Sequence, residues 1–119
     1  MKYTYFSGND FLNANPPCHI DDMDSLFLSR LDSARHISGV PFVVLSAYRS
    51  PEHEESKGRR KDGVHPTGKA IDIRATKSRE RFLILDSLIK VGFTRIGIYD
   101  WGFHVDMCED IRDEKVIWK

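Results

Sequence analysis

The segments Ala70-Ile71-Asp72-Ile73 and Phe103-His104-Val105-Asp106 constrain the fold more than any other stretch, because apolar and polar residues alternate in both. A period of two belongs to a strand with one face in a core and the other turned away from it. In the first strand Ile71 and Ile73 face one side, and Ala70 and Asp72 the other. In the second, His104 and Asp106 share a face opposite Phe103 and Val105. Two such strands lying side by side gather Asp72, His104 and Asp106 on one surface.

His65 stands seven residues before Asp72 in His65-Pro66-Thr67-Gly68-Lys69-Ala70-Ile71-Asp72. Pro66 bars regular helix at the start of this segment, and the small residues Gly68 and Ala70 let the backbone bend tightly and pack closely. Two imidazoles and one carboxylate suit Zn²⁺, which takes nitrogen and oxygen ligands in a tetrahedron. Three protein ligands leave one corner for a water whose pKa the metal lowers to about 7, a hydrolytic nucleophile. Taken singly, each residue is accounted for by a polar turn or a half-buried edge strand with a satisfied histidine. Taken as a set, His65, Asp72 and His104 read as a metal centre.

A chain of 119 residues, with 40% hydrophobic and 30% charged residues, can bury one core and not two, so residues 1–119 are expected to form a single domain. Eighteen basic and eighteen acidic side chains give a formal net charge of zero, which supplies no general electrostatic case for nucleic acid or an anionic membrane. The run Lys57-Gly58-Arg59-Arg60-Lys61 is the local exception. It reads first as a solvated loop and second as a contact for phosphate or a cell-wall polymer; a nucleic-acid site there would show steep salt dependence. Cys18 and Cys108 are far apart and form no paired motif, so both read as free thiols. The N-terminus lacks the apolar core of a secretory signal and no stretch is long enough to cross a bilayer. The expectation is a monomer that is cytoplasmic as synthesised and reaches a cell wall only after release, as in a phage lysis system.

The coarse order of elements begins with a loosely attached arm over residues 1–15, ended by Pro16-Pro17. Acids at Asp21, Asp22 and Asp24 favour a helix start, the stripe Met23, Phe27, Leu31 and Ala34 gives the helix one apolar face, and Gly39 closes it. Pro41-Phe42-Val43-Val44-Leu45-Ser46 is a strand that delivers Tyr48 and Arg49 at its carboxyl end. A second helix is expected over about 78–91, capped by Ser78 and stopped by Gly92, with Phe82, Leu85, Leu88 and Ile89 toward the core. Residues 93–99 and 103–106 form a hairpin whose turn holds Asp100, Trp101 and Gly102, and Val116-Ile117-Trp118-Lys119 is a final strand or a clasp. The fold class is α+β: a small, mainly antiparallel sheet carries the metal site, and helices pack on its other face.

Three blocks then occur in order: Ser46-Ala47-Tyr48-Arg49-Ser50-Pro51-Glu52-His53, His65 to Ile73, and Gly97-Ile98-Tyr99 leading to Phe103-His104-Val105-Asp106. In these blocks the chain resembles the D-alanyl-D-alanine carboxypeptidase-like zinc peptidases, which include cell-wall carboxypeptidases, D,D-dipeptidases and phage endolysins. It is most similar to their short, single-domain branch. The resemblance implies a Hedgehog/DD-peptidase-like fold and His65, Asp72 and His104 as zinc ligands. It also implies that Arg49 holds the substrate's carbonyl or carboxylate near the metal. The substrate it implies is a peptidoglycan stem peptide. Two departures, Gly63 where the family often has serine and Glu54 where it often has asparagine, bear on substrate choice rather than on metal binding.

Hydrolysis also needs a group to take the proton of the water. Asp106, two residues after His104 on the same strand face, is the favoured base; Asp100 is its rival and matches the family's acidic position only if the turn shifts by one residue. Either carboxylate has a second reading, as the partner that fixes a histidine tautomer. Arg49 reads as an oxyanion or carboxylate clamp, or as a plain surface ion pair. His53, Tyr48 and Trp101 are candidates for the cleft wall, while His19 and His36 read as structural or surface residues. The leading expectation is a zinc peptidase acting on cell-wall stem peptides in carboxypeptidase or endopeptidase mode. The alternative is a metal-binding module of the same fold that binds cell wall or a protein without turnover.

Overall fold

The computed structural model describes residues 3–110 and 115–119. The chain runs through α1 (Gly8–Leu12), α2 (Ser25–Ser38), β1 (Val43–Ser46), α3 (Pro51–Ser56), β2 (Ala70–Arg74), α4 (Ser78–Lys90), β3 (Arg95–Tyr99), β4 (Gly102–Asp106) and β5 (Val116–Trp118). The strands form one sheet in the order β1-β2-β4-β3-β5. All pairings are antiparallel except β3 with β5, which is parallel. The chain is therefore α+β with a mixed sheet.

Alternation sets what each face carries. Val44, Ile71, Ile73, Ile96, Phe103 and Val105 turn to one side, where they meet Phe27, Leu28, Leu31 and Ala34 of α2 and Ile84 and Leu88 of α4 in one buried cluster. The sequence of α2 explains its boundaries. The Asp24 carboxylate accepts from the Phe27 N–H at 2.9 Å, satisfying an orphan donor of the first turn, and Gly39 ends the helix at φ 71°. The opposite face of the sheet carries Asp72, His104, Asp106 and Arg95.

Three expectations are corrected here. Residues 3–15 are not a loosely attached arm: Phe6, Phe11 and Ala14 are buried in the main core, the Asp32 carboxylate accepts from the N–H groups of Thr4 and Tyr5 at 3.0 and 2.8 Å, and Asn15 N–H donates to the Leu45 carbonyl. Apolar residues at positions 6 and 11 escaped a reading based on periodicity because α1 is only five residues long. The second correction concerns the phase of α4. Phe82 is 70% exposed and Ile89 51%, whereas Ile84 and Ser87 are buried with Leu88. Arg81 sets that rotation, because its Nη1 donates to the carbonyls of Ala75 and Tyr99, each at 2.8 Å, and its guanidinium lies 5.0 Å over the Phe103 ring. The third is the cap of α4, which is Lys77 rather than Ser78, since the Glu80 carboxylate reaches back to the N–H groups of Thr76 and Lys77. Residues 51–56 form the short helix α3, started by Pro51 and by Ser50 Oγ accepting from His53 N–H.

Packing of the N-terminal segment yields a measurable consequence. Phe11 is fully buried, so Phe11→Ala should lower unfolding stability by about 3–5 kcal/mol in denaturant titration, whereas Phe82→Ala, on the exposed side of α4, should change it by less than about 0.5 kcal/mol.

Candidate metal centre

Strand register assembles the centre. Ser46, Asp72, His104, Gly97 and Trp118 make one row across all five strands, each the pairing partner of the next. The neighbouring row is Ala70, Asp106, Arg95 and Val116. His65 enters from outside the sheet, on a 3₁₀ turn over His65–Thr67 that Gly68 terminates at φ 75°. A Cβ at Gly68 would sit 2.5 Å from the Asp22 carbonyl oxygen, and Gly68 O accepts from Asp24 N–H at 2.9 Å. The start of α2 and the turn that aims His65 are thus fastened together, and only glycine fits between them.

The three side chains converge as the sequence implied. His104 Nδ1 lies 2.9 Å from Asp72 Oδ1, and His65 Nε2 lies 3.6 Å from Asp72 Oδ2. The imidazole centroids are 5.3 Å apart, and one donor atom from each of the three residues lies within 4.8 Å of the others. Zinc bonds of about 2.0–2.1 Å to N and O imply tetrahedral edges of roughly 3.3 Å, and each imidazole lies near that distance from its own Asp72 oxygen. Residues and spacing both fit a zinc ion.

Hydrogen bonds fix which nitrogen of each ring is presented. His65 Nδ1 donates to the Ala47 carbonyl at 2.6 Å, leaving Nε2 as the lone-pair atom, because a carbonyl oxygen can only accept. His104 is the reverse: Nε2 donates to Asp106 Oδ2 at 2.7 Å, and Nδ1 faces Asp72. Burial pushes the His65 pKa down to about 4, against the pull of Asp72 and helped by Arg49 and His104. Burial acts the same way on His104, but hydrogen bonds to Asp106 and Asp72 outweigh it and raise the pKa to about 8.

Asp106 corrects the expectation of a base aimed at the metal. The side chain is wholly buried; one oxygen accepts from His104 Nε2, the other from Arg95 Nε at 2.6 Å and from Cys108 N–H at 3.0 Å. The imidazole of His104 stands between it and Asp72. Burial alone would raise its pKa, yet these donors hold it below the usual carboxylate value. Its geometry is that of the partner that orients His104. Asp100 is exposed in the β3–β4 turn and does not line the cavity around the ligands.

That cavity, of about 590 Å³, is bordered on the β1 side by Arg49 and Glu54. Arg49 reaches toward the ligands: Nε donates to Glu54 Oε1, Nη1 donates to Ser46 Oγ at 2.9 Å, and Nη1 lies 3.9 Å from Asp72 Oδ2. Glu54 also accepts from Arg59 Nε at 2.7 Å. Burial pulls its pKa up, but the hydrogen bonds from Arg59 and Arg49 bring it below the ordinary value. The basic loop is charge-paired, with Arg60 forked onto Asp62 and Lys61 3.6 Å from Glu55. Tyr48 and His53 are not at the ligands; they line a separate cavity with Pro17 and Cys18. Trp101 does border the metal cavity.

Arg95, Tyr99 and Trp118 are site residues that the sequence reading did not single out. Arg95 and Tyr99 alternate with the core residues Ile96 and Ile98, a signal present in the sequence but masked by an apolar-rich segment. Trp118 gave no such signal, because its place depends on β5 pairing with a strand whose paired residues lie 21 positions earlier. Gly97 was the available clue. A Cβ there would lie 2.7 Å from Trp118 Nε1, so the glycine makes room for the indole to reach within 5.5 Å of the His104 ring.

Residues 9–107 match the family model described as Peptidase M15. No curated protein and no solved structure matches the chain.

Competition between metal and protons follows from the two histidines. His65 is neutral at pH 7, while His104 carries a proton below about pH 8 and must lose it to ligate. Zinc affinity, measured by chelator competition, should therefore fall about tenfold per pH unit as the pH drops from 8 to 6. His65→Ala and His104→Ala should each abolish stoichiometric zinc in elemental analysis. Asp106→Asn should keep the site but weaken it by about 10–100-fold, the scale of losing a partner that orients a metal-bound imidazole.

Proposed function

The chain belongs to the peptidase M15 family, and from its site we propose a zinc-dependent peptidase that hydrolyses peptide bonds of bacterial cell-wall stem peptides. The observation that carries this reading is the convergence of His65, Asp72 and His104 beside Arg49 in one open cavity. His65 Nε2, Asp72 and His104 Nδ1 are the atoms that would hold Zn²⁺. Bound there, the ion would supply Lewis acidity and a water acidic enough to attack near neutral pH.

The protein's own groups account for binding and charge. Arg49 is fixed on two edges by Glu54 and Ser46, so its guanidinium is held rather than searching for its partner. Its remaining N–H donors suit the oxygen on which negative charge develops during attack, or the terminal carboxylate of a peptide. Glu54 holds Arg49 and Arg59, and its lowered pKa makes it a poor proton acceptor. Asp106 keeps His104 in the tautomer that presents Nδ1. Arg59, Arg60 and Lys61 are engaged by Glu54, Asp62 and Glu55, which supports a peptide rather than a nucleic acid as the partner.

A second reading, a zinc-binding module without turnover, draws on one specific observation. Among the described residues, both carboxylates considered as the base are out of position, Asp106 locked behind the imidazole and Asp100 outside the cavity.

Digestion of purified peptidoglycan with the zinc-loaded protein, followed by mass analysis of the fragments, separates the two. The peptidase reading expects peptide fragments that disappear with chelator and return with zinc. Arg49→Lys should keep zinc and folding while lowering turnover by about tenfold to a thousandfold, because lysine carries the charge without the planar fork. Zinc binding with intact peptidoglycan would leave the binding module.

A further inference from the structure

Tyr99 has a hydroxyl held in place on the cavity wall and, among the described residues, an O–H with nothing to donate to. Trp118 Nε1 donates to the Tyr99 oxygen at 2.7 Å, so one lone pair is taken. The phenol ring stacks on Trp101, with centroids 4.8 Å apart and planes 5° from parallel, which fixes its tilt. Among the described residues no group accepts from its O–H. Tyr99, Trp101 and Trp118 all border the metal cavity.

Position in the sheet gives this donor a meaning. Arg49 approaches from the β1 edge and Tyr99 stands on β3, with the ligand-bearing strands β2 and β4 between them. A peptide laid across the strands with its scissile carbonyl at the metal then places its next carbonyl on the far side from Arg49. We propose that Tyr99 binds substrate there, donating its O–H to a backbone carbonyl of the peptide while Trp118 and Trp101 hold the ring. This inference rests on the reading of a peptide-binding zinc site. Gly97 serves it indirectly, since a side chain at that position would displace the Trp118 indole. Tyr99 is thus a substrate-binding residue and Trp118 a positioning residue.

Calorimetry on the zinc-loaded full chain tests the proposal, with an acetylated stem peptide ending in D-alanyl-D-alanine as probe, its apparent Kd being taken from the binding isotherm where the probe stays intact and from the KM of the reaction heat where it is cleaved. Tyr99→Phe should raise the Kd by about threefold to tenfold, the scale of one hydrogen bond, with zinc content unchanged. Trp118→Phe keeps the hydroxyl and should weaken binding in the same direction by less. The double variant should bind no worse than Tyr99→Phe alone, because Trp118 acts through the hydroxyl. An unchanged Kd in Tyr99→Phe overturns the proposal, even if the unfolding temperature falls, since the hydroxyl then only fastens β5. Full additivity of the two losses overturns the positioning role of Trp118. A wild-type protein that binds the probe without cleaving it, with weaker binding in Tyr99→Phe, supports this inference while defeating the peptidase reading. No binding by the wild type overturns the inference itself.

Discussion

The centre depends on the pairing of β2 with β4, which sets Asp72 opposite His104. A slip of one residue in that ladder would turn one of them into the helical core and an isoleucine or valine onto the polar face. Nothing in the metal centre resists such a slip as strongly as the core does, because Ile71, Ile73, Phe103 and Val105 are buried within about 1% of completely. Burying apolar area on one face thus determines chemistry on the other. The same register carries Ser46 to one flank of the ligands and Gly97 and Trp118 to the other.

Charges at the centre are compensated in pairs. Asp106 is a carboxylate in full burial, a costly state unless its oxygens are satisfied, and Arg95, His104 and the Cys108 N–H satisfy them. Glu54, also buried, is satisfied by Arg49 and Arg59. Each anion therefore orients a group that faces the cavity, an imidazole in one case and a guanidinium in the other. Asp72 is different. It lies between two imidazoles with Arg49 at 3.9 Å, and orients neither group toward the cavity in the way Asp106 and Glu54 do.

Alternation in Ala70–Ile73 and Phe103–Asp106 was legible in the sequence because a sheet with one buried face leaves no freedom in which residues point inward. The shared face of Asp72 and His104 followed from it, and the first long helix was legible from its apolar stripe and its Asp24 cap, which are local features. The parts that escaped are those where a single polar contact outranks periodicity. Arg81, drawn to two strand-end carbonyls, rotates α4 away from the phase that Phe82 and Ile89 imply. Asp106 shares a strand face with His104 as expected, but direction along a face does not reveal that an arginine waits on the next strand to claim it. Trp118 reaches the site through a parallel pairing that no local pattern announces.

The two histidines turn different ring nitrogens toward the candidate metal position, Nε2 of His65 and Nδ1 of His104. They are therefore not equivalent when replaced by amides. The carboxamide of glutamine reaches about as far from the backbone as Nε2, and that of asparagine about as far as Nδ1. Glutamine is consequently the closer mimic at position 65 and asparagine at position 104, and exchanging the two choices misplaces the donor at both. A difference of one methylene between two conservative replacements thus carries the imprint of which carbonyl or carboxylate each ring leans on.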